Sequence, residues 1–221
     1  MNEIFIDLNS TSILCEIMGR NGSDKSDKHN IVEFSFPKHN YTLVYHELFK
    51  NFRFEKLRIF ELGLGTNNEY VVSNMGRNGI PGASLRGWAE YFPNSLIFGA
   101  DIDSNILFQT DRIKTFYCDQ TNPHVIRYMW NEESLKENFD IIIEDGLHEF
   151  GANVCFFENS IHKLKSKGYY IIEDLNIHIK HIYTNQIDEW RLKYPDCIFS
   201  LLDIKSFENH INNMILVVYK N

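Results

Sequence analysis

The sequence predicts an α/β protein built on a mostly parallel sheet, on three observations. From Leu57 onward, short β-type runs alternate with stretches whose apolar residues recur at helical spacing, the pattern of strands joined by crossover helices. The first of these runs leads into a glycine-containing turn, and each of the first three carries an acid at or near its carboxyl end. The chain has 221 residues, of which 43% are hydrophobic, enough for one substantial core and too few for two enzyme domains of ordinary size.

Residues 1–56 differ from the rest and are set apart as an N-terminal helical segment. They hold a polar stretch, GRNGSDKSDKHN, followed by YTLVYHELFKNF, whose apolar and aromatic residues fall on one side of a helix. Such a helix could lie across the open end of the sheet as a lid, or could simply pack. Residues 57–221 form the main domain. Its strands are expected at 57–62, 95–101, 112–119, 139–145 and 168–174. ASLRGWAEYF, a stretch around PHVIRYMW, and GANVCFFENSIHKLKS supply the helices between them. A helix around DEWRLKY then precedes CIFSLLDI and NMILVVYK, which the polar SFENHINN joins as a terminal hairpin.

A formal charge of -8 without a Lys/Arg cluster excludes a nucleic-acid partner, because the chain would repel a phosphate backbone. No run of about 18 apolar residues argues for a membrane span. The opening MNEIFIDLNSTSILCEIMG does not read as a signal peptide, so the cytoplasm is the expected compartment. Cys15, Cys118, Cys155 and Cys197 lie far apart with no CxxC pair, the pattern of reduced thiols rather than zinc ligands.

The first strand delivers Glu61-Leu62-Gly63-Leu64-Gly65-Thr66-Asn67. Glycines at that strand end let a nucleotide-like ligand approach the backbone, although an ordinary turn needs them too. Asn67 stands where a dinucleotide fingerprint has its third glycine, which counts against NAD. Asp101, at the end of the second strand, can accept both hydroxyls of a ribose, as in NAD or S-adenosylmethionine (SAM). Asp119 and Gln120, after the third, can bond an adenine edge.

The fourth strand ends in Glu144-Asp145-Gly146-Leu147-His148 and the fifth in Glu173-Asp174. Neighbouring parallel strands lie about 5 Å apart, so Asp145, Glu173 and Asp174 converge at one edge. Acids so close call for a cation, and a hard, oxygen-seeking ion such as Mg2+ suits them. His148 is either a ligand or a base beside the ion, or else a cap for the following helix. Trp88, Tyr91, Tyr183 and Trp190 are candidates for a sugar-lining wall or for the core.

With these residues on the page, the chain resembles the Mg2+-dependent sugar O-methyltransferases of the macrocin and mycinamicin type, within the Rossmann-like class I SAM-dependent methyltransferases. GSDK from Gly22, HNYTLVYHELF from His39, FELGLG from Phe60, PGASLRGWAEYFP from Pro81, GADID from Gly99, RIKTFYCDQT from Arg112, EDGLH from Glu144 and IIEDL from Ile171 carry the resemblance. It implies a seven-stranded sheet in the order 3-2-1-4-5-7-6, its seventh strand antiparallel, with the N-terminal segment helping to close the site. It also implies SAM, with Glu61, Gly63 and Gly65 along the methionine part, Ser84 and Arg86 at its carboxylate, Asp101 on the ribose, and Asp119 and Gln120 at the adenine. Asp145, Glu173 and Asp174 would bind Mg2+, with His148 as base.

The acceptor it implies is a hydroxyl of a small molecule or glycan, in polysaccharide or secondary-metabolite biosynthesis, with a homo-oligomer expected. A phosphorylated or phosphoramidate capsule precursor is an alternative acceptor. A non-catalytic protein that senses SAM or a nucleotide sugar, an NAD-dependent oxidoreductase and an iron-dependent oxygenase are the rival readings. Iron sites usually want two histidines and a carboxylate, and only His148 is at hand.

Overall fold

The computed structural model describes residues 7–221, so the first six residues of the stretch read against a signal peptide lie outside it. In chain order the elements are α1 (Ile13–Asn21), α2 (Tyr41–Phe49), β1 (Arg58–Leu62), α3 (Ala83–Tyr91), β2 (Leu96–Asp101), β3 (Ile113–Tyr117), α4 (Pro123–Trp130), β4 (Phe139–Glu144), α5 (Phe150–Ser160), β5 (Leu164–Leu175), α6 (Lys180–Lys193), β6 (Cys197–Asp203) and β7 (Met214–Lys220). The strands form one seven-stranded sheet in the order β3-β2-β1-β4-β5-β7-β6. β1 to β5 pair in parallel, whereas β7 runs antiparallel between β5 and β6. That is the topology of the class I methyltransferase fold, and the terminal hairpin lies where the sequence placed it.

Alternation along the strands divides the core in two. Phe60, Ile142 and Ile172 join Trp130, Phe156 and Trp190 in a cluster under α4, α5 and α6. Ile59, Ile141, Ile143 and Ile171 face the other way, into a cluster with Met18 of α1, Tyr45 and Phe49 of α2, and Trp88 of α3. The N-terminal segment is therefore a packing layer of the sheet, with five residues of α2 in that cluster: Tyr41, Val44, Tyr45, Leu48 and Phe49. Trp88, Tyr91, Tyr183 and Trp190 are fully buried, which gives them to the core and not to a sugar-lining wall.

Helix ends follow local chemistry. Ser12 accepts a hydrogen bond from the Cys15 N–H at the start of α1, and Gly22 ends that helix with φ 82°. Asn122 caps α4, whose first residue is Pro123. β5 begins earlier than expected, because Lys165 and Ser166, read as the tail of a helix, already belong to the strand. Among the described residues no helix is long and apolar enough to cross a membrane.

Candidate active site

A cavity of about 860 Å3 opens at the carboxyl ends of β1 to β5, the position where open α/β sheets take ligands. Gly63, Gly65, Asp101, Asp119, Gln120, Asp145, His148 and Asp174 line it, together with Asp24, His39 and the loop between β6 and β7. At Gly63, with φ 91°, a Cβ would stand 1.8 Å from the Asp145 carbonyl oxygen. Glycine is needed there for two reasons, a left-handed backbone and a close approach of the β4 loop.

The half of the cavity over β1 to β3 is organised by its own backbone. Asp101 accepts from the Leu64 N–H at 2.7 Å through one oxygen and from the Asp103 N–H at 2.8 Å through the other. It thereby pins the glycine turn, while burial raises its carboxyl above the usual range. Asp103 in turn accepts from the Thr66 hydroxyl at 2.6 Å and from the Asn105 N–H at 3.0 Å. Asp119 holds the Thr121 N–H and hydroxyl. Gln120 lines the cavity, but its amide is a strut: its oxygen accepts from the Leu147 N–H at 2.6 Å and its nitrogen donates to Glu144 at 3.0 Å. Burial pushes Glu144, a residue absent from the expected site, up to about 7, and its Oε2 has no hydrogen-bond partner among the described residues.

Four expected site residues do not line the cavity. Glu61 is buried behind the wall, where it accepts from the Ser84 hydroxyl and the Trp88 indole N–H. Ser84 is therefore spent on Glu61. Arg86 turns outward, donating to the Pro81 carbonyl at 2.7 Å and covering the Phe108 ring at 4.6 Å. Residues two apart on a helix point nearly opposite ways, and in this structure Ser84 and Arg86 on α3 are turned to different partners. Glu173 is the fourth: it accepts from Lys25 Nζ at 2.7 Å and from the Tyr45 hydroxyl at 2.6 Å.

Lys25 is the residue the sequence reading passed over. Its side chain is 2% exposed, and its ammonium lies 2.5 Å from Asp145 Oδ2 and 3.7 Å from Glu61 Oε1 as well as on Glu173. Much of the negative charge that seemed to require an ion is thus met from within the chain. Three of these side chains stand within the GSDK, FELGLG and IIEDL segments, and burial of an isolated Lys is rare enough that an acidic partner could have been sought.

Asp145, His148 and Asp174 remain as a group whose ligand atoms all lie within 4.8 Å of one another. Tyr41 donates to Asp174 Oδ1 at 2.7 Å, and His39 Nε2 is 3.3 Å from the same oxygen. His148 Nε2 is 3.8 Å from Asp174 Oδ2 and its Nδ1 3.9 Å from Asp145 Oδ1. That Nδ1 is buried without a hydrogen-bond partner among the described residues. Both His148 (φ 61°) and Asp174 (φ 57°) hold a left-handed backbone uncommon for non-glycine residues, a strain that concentrates at functional sites. Burial opposes charge on His148, yet Asp174, Asp145 and Glu144 together raise it above its ordinary value. Burial likewise opposes charge on Asp174, and His39, His148 and the Tyr41 hydroxyl outweigh it and hold the carboxyl low. Two carboxylates and an imidazole around a polar gap fit a divalent ion.

No protein-family model matches the chain. It is 30% identical over 156 residues to the 8-demethyl-8-alpha-L-rhamnosyl tetracenomycin-C 2'-O-methyltransferase of Streptomyces olivaceus, a match covering 71% of this chain and 36% of the relative. It is 31% identical over 137 residues to the demethylmacrocin O-methyltransferase of Streptomyces fradiae, covering 62% of this chain and 32% of the relative. The matched region is about a third of the length of these curated relatives. Among solved structures, the methyltransferase MycE from the mycinamycin biosynthetic pathway, in complex with Mg and SAH, superposes with a TM-score of 0.68 at 20% identity, over 96% of this chain and 55% of that one. Its complex with Mg, SAH and mycinamycin VI gives 0.67 at 21%, covering 96% and 55%. These structural likenesses are likenesses of fold.

Proposed function

We propose, from the premise that this chain is a class I methyltransferase in fold and a relative of the sugar O-methyltransferases in sequence, that it methylates a hydroxyl of a sugar or glycan-type acceptor. The donor in this reading is SAM, the metal is Mg2+, and residues 1–56 complete the site of the domain formed by 57–221. One observation carries the reading: a single cavity joins a turn suited to a nucleotide, at Gly63, Gly65 and Asp101, to a carboxylate and histidine group at Asp145, His148 and Asp174. Supporting it, the relatives are named as O-methyltransferases, one of them of a rhamnosyl compound, and MycE was crystallised with Mg and SAH.

In this reading Gly63 and Gly65 let the cofactor's amino-acid end approach the backbone. Asp101 accepts the ribose hydroxyls with the lone pairs that Leu64 and Asp103 leave free, and Asp119 and Gln120 border the adenine. Glu61, with Ser84 beneath it, supports the floor electrostatically. Asp145 and Asp174 hold the ion, and Glu173, bound to Lys25 and Tyr45, supports them from behind the cavity wall. Bound SAM supplies a methyl group on a sulfonium, already a good leaving group; bound Mg2+ lowers the pKa of an acceptor hydroxyl. The chain's own tasks are alignment of that hydroxyl and removal of its proton. His148 takes the proton. A base has to be neutral, and the acids beside His148 favour its charged form, so His148 works as a base only once their charge has been offset.

The test is calorimetric titration of SAM and of S-adenosylhomocysteine into the protein, with and without Mg2+. Micromolar binding of either is expected. Absence of binding under both conditions overturns the methyltransferase reading.

A further inference from the structure

The N-terminal segment reaches the acids through a buried cation that the proposed reaction does not use directly. Lys25 stands in the loop that follows α1, with its ammonium enclosed by carboxylates from the ends of three adjacent strands: Glu61 on β1, Asp145 just past β4, and Glu173 on β5. An unpaired ammonium at this depth is strongly disfavoured, so its position is fixed by those acids and theirs by it. The oxygens divide in a consistent way. Asp145 gives Oδ2 to Lys25 and turns Oδ1 toward His148, while Asp174 gives Oδ1 to Tyr41 and turns Oδ2 toward His148. Each ion-facing carboxylate is thus anchored through one oxygen by the N-terminal segment and presents the other.

We infer that Lys25 is a positioning residue for the divalent-ion site, acting through Asp145 by fixing the rotation of its carboxylate. The inference rests on the reading of Asp145 and Asp174 as holders of the ion beside His148, and it goes further by making residue 25 a determinant of ion affinity. Charge and position predict opposite outcomes here. By charge alone, an ammonium hydrogen-bonded to an ion-facing carboxylate repels a dication, so its removal should tighten ion binding. By position, its removal frees Asp145 to rotate and weakens binding, as loss of a partner that orients a metal ligand commonly does.

The experiment uses the full chain and Mn2+ as probe, with free Mn2+ counted by electron paramagnetic resonance. The proteins are wild type, Glu173→Gln, and Lys25→Met with Glu173→Gln. The double variant replaces Lys25 and Glu173 by neutral side chains of similar size, so the net charge of the cluster is unchanged, while Glu61 and Asp145 lose their ammonium partner. Thermal unfolding is recorded for each. The expected result is that the double variant binds Mn2+ about tenfold or more weakly than Glu173→Gln alone. Equal or tighter binding by the double variant overturns the inference. So does a lower unfolding temperature with unchanged Mn2+ affinity, which would make Lys25 a counter-ion for folding only. Failure of the wild type to bind Mn2+ sinks the ion-site reading itself, and the inference with it; that failure shows in the parent protein, before any variant is compared.

Discussion

The two halves of the cavity are held together differently. Over β1 to β3 the polar groups fix one another at shorter range in the chain: Asp103 binds Asn105 and Asp101 binds Asp103, and the longest links, Asp101 to Leu64 and Asp103 to Thr66, each span 37 residues. Over β4 and β5 the acids are fixed by side chains 120 to 148 residues earlier, Lys25, Tyr41 and Tyr45. The first half would be recognisable in an isolated β-α-β unit. The second exists only when α1, α2 and the loop between them are packed against the sheet, so the N-terminal segment builds the acid half rather than merely covering it.

The comparison predicts that the halves can be damaged separately, and the largest effect should come from the acid half. Asp174→Asn is expected to weaken Mn2+ binding by about a hundredfold or more, the upper end of what site-shell changes cost, while S-adenosylhomocysteine affinity stays within about threefold. Calorimetry and paramagnetic resonance on one preparation read both, and parallel loss of the two ligands would break the separation. Next, His148→Ala should cut turnover about a hundredfold with cofactor binding intact, measured as S-adenosylhomocysteine release with a panel of glycosylated acceptors. Turnover unchanged would remove His148 from the base role.

The converse test addresses the first half. Asp101→Ala removes two bonds from backbone N–H groups to a carboxylate, worth about 1.5–3 kcal/mol each to a charged group, and should weaken S-adenosylhomocysteine binding at least tenfold. Mn2+ affinity should not change, and if it does the turn and the ion site are coupled.

The smallest expected effect lies at the seam, where Glu144 joins Gln120 to the β4 loop. Its carboxyl is raised from the ordinary 4.5 to about 7, chiefly by burial, so the folded chain binds this proton more tightly than the unfolded chain. For a raised carboxyl, stability falls as pH climbs through the window from 4.5 to 7 and stays lower above it. Glu144→Gln should therefore stabilise the protein by up to about 3 kcal/mol at pH 8, at about 1.4 kcal/mol per pH unit, and make little difference near pH 4. Urea unfolding in EDTA at both pH values checks this. A stabilisation independent of pH would place its origin in packing.

Much of this was legible in the chain, and the misses have local explanations. Strand identity followed from short β-type runs alternating with helical stretches, whereas the order 3-2-1-4-5-7-6 was implied by the family resemblance and not by the runs themselves. The helix α1 was not read, because its nine residues lead straight into the polar GRNGSDKSDKHN and the whole stretch looks like loop. Glu173 and Asp174 were expected to act side by side, although adjacent residues on a strand face opposite sides. Glu173 follows Ile171 toward the α2 layer, where Tyr45 and Lys25 hold it, and only the left-handed turn at Asp174 aims that residue into the cavity.

By itself the sequence determined what short-range chemistry can determine: the α/β alternation, the glycine turn after β1, the caps, and the acids at the carboxyl ends of the strands. Only the tertiary structure decided which acid faces solvent, which faces an ion, and which is neutralised by an ammonium from the other end of the chain. Backbone periodicity and turn geometry are set by neighbours along the sequence. Charge is compensated through space, and the partner can come from any segment that packing brings near.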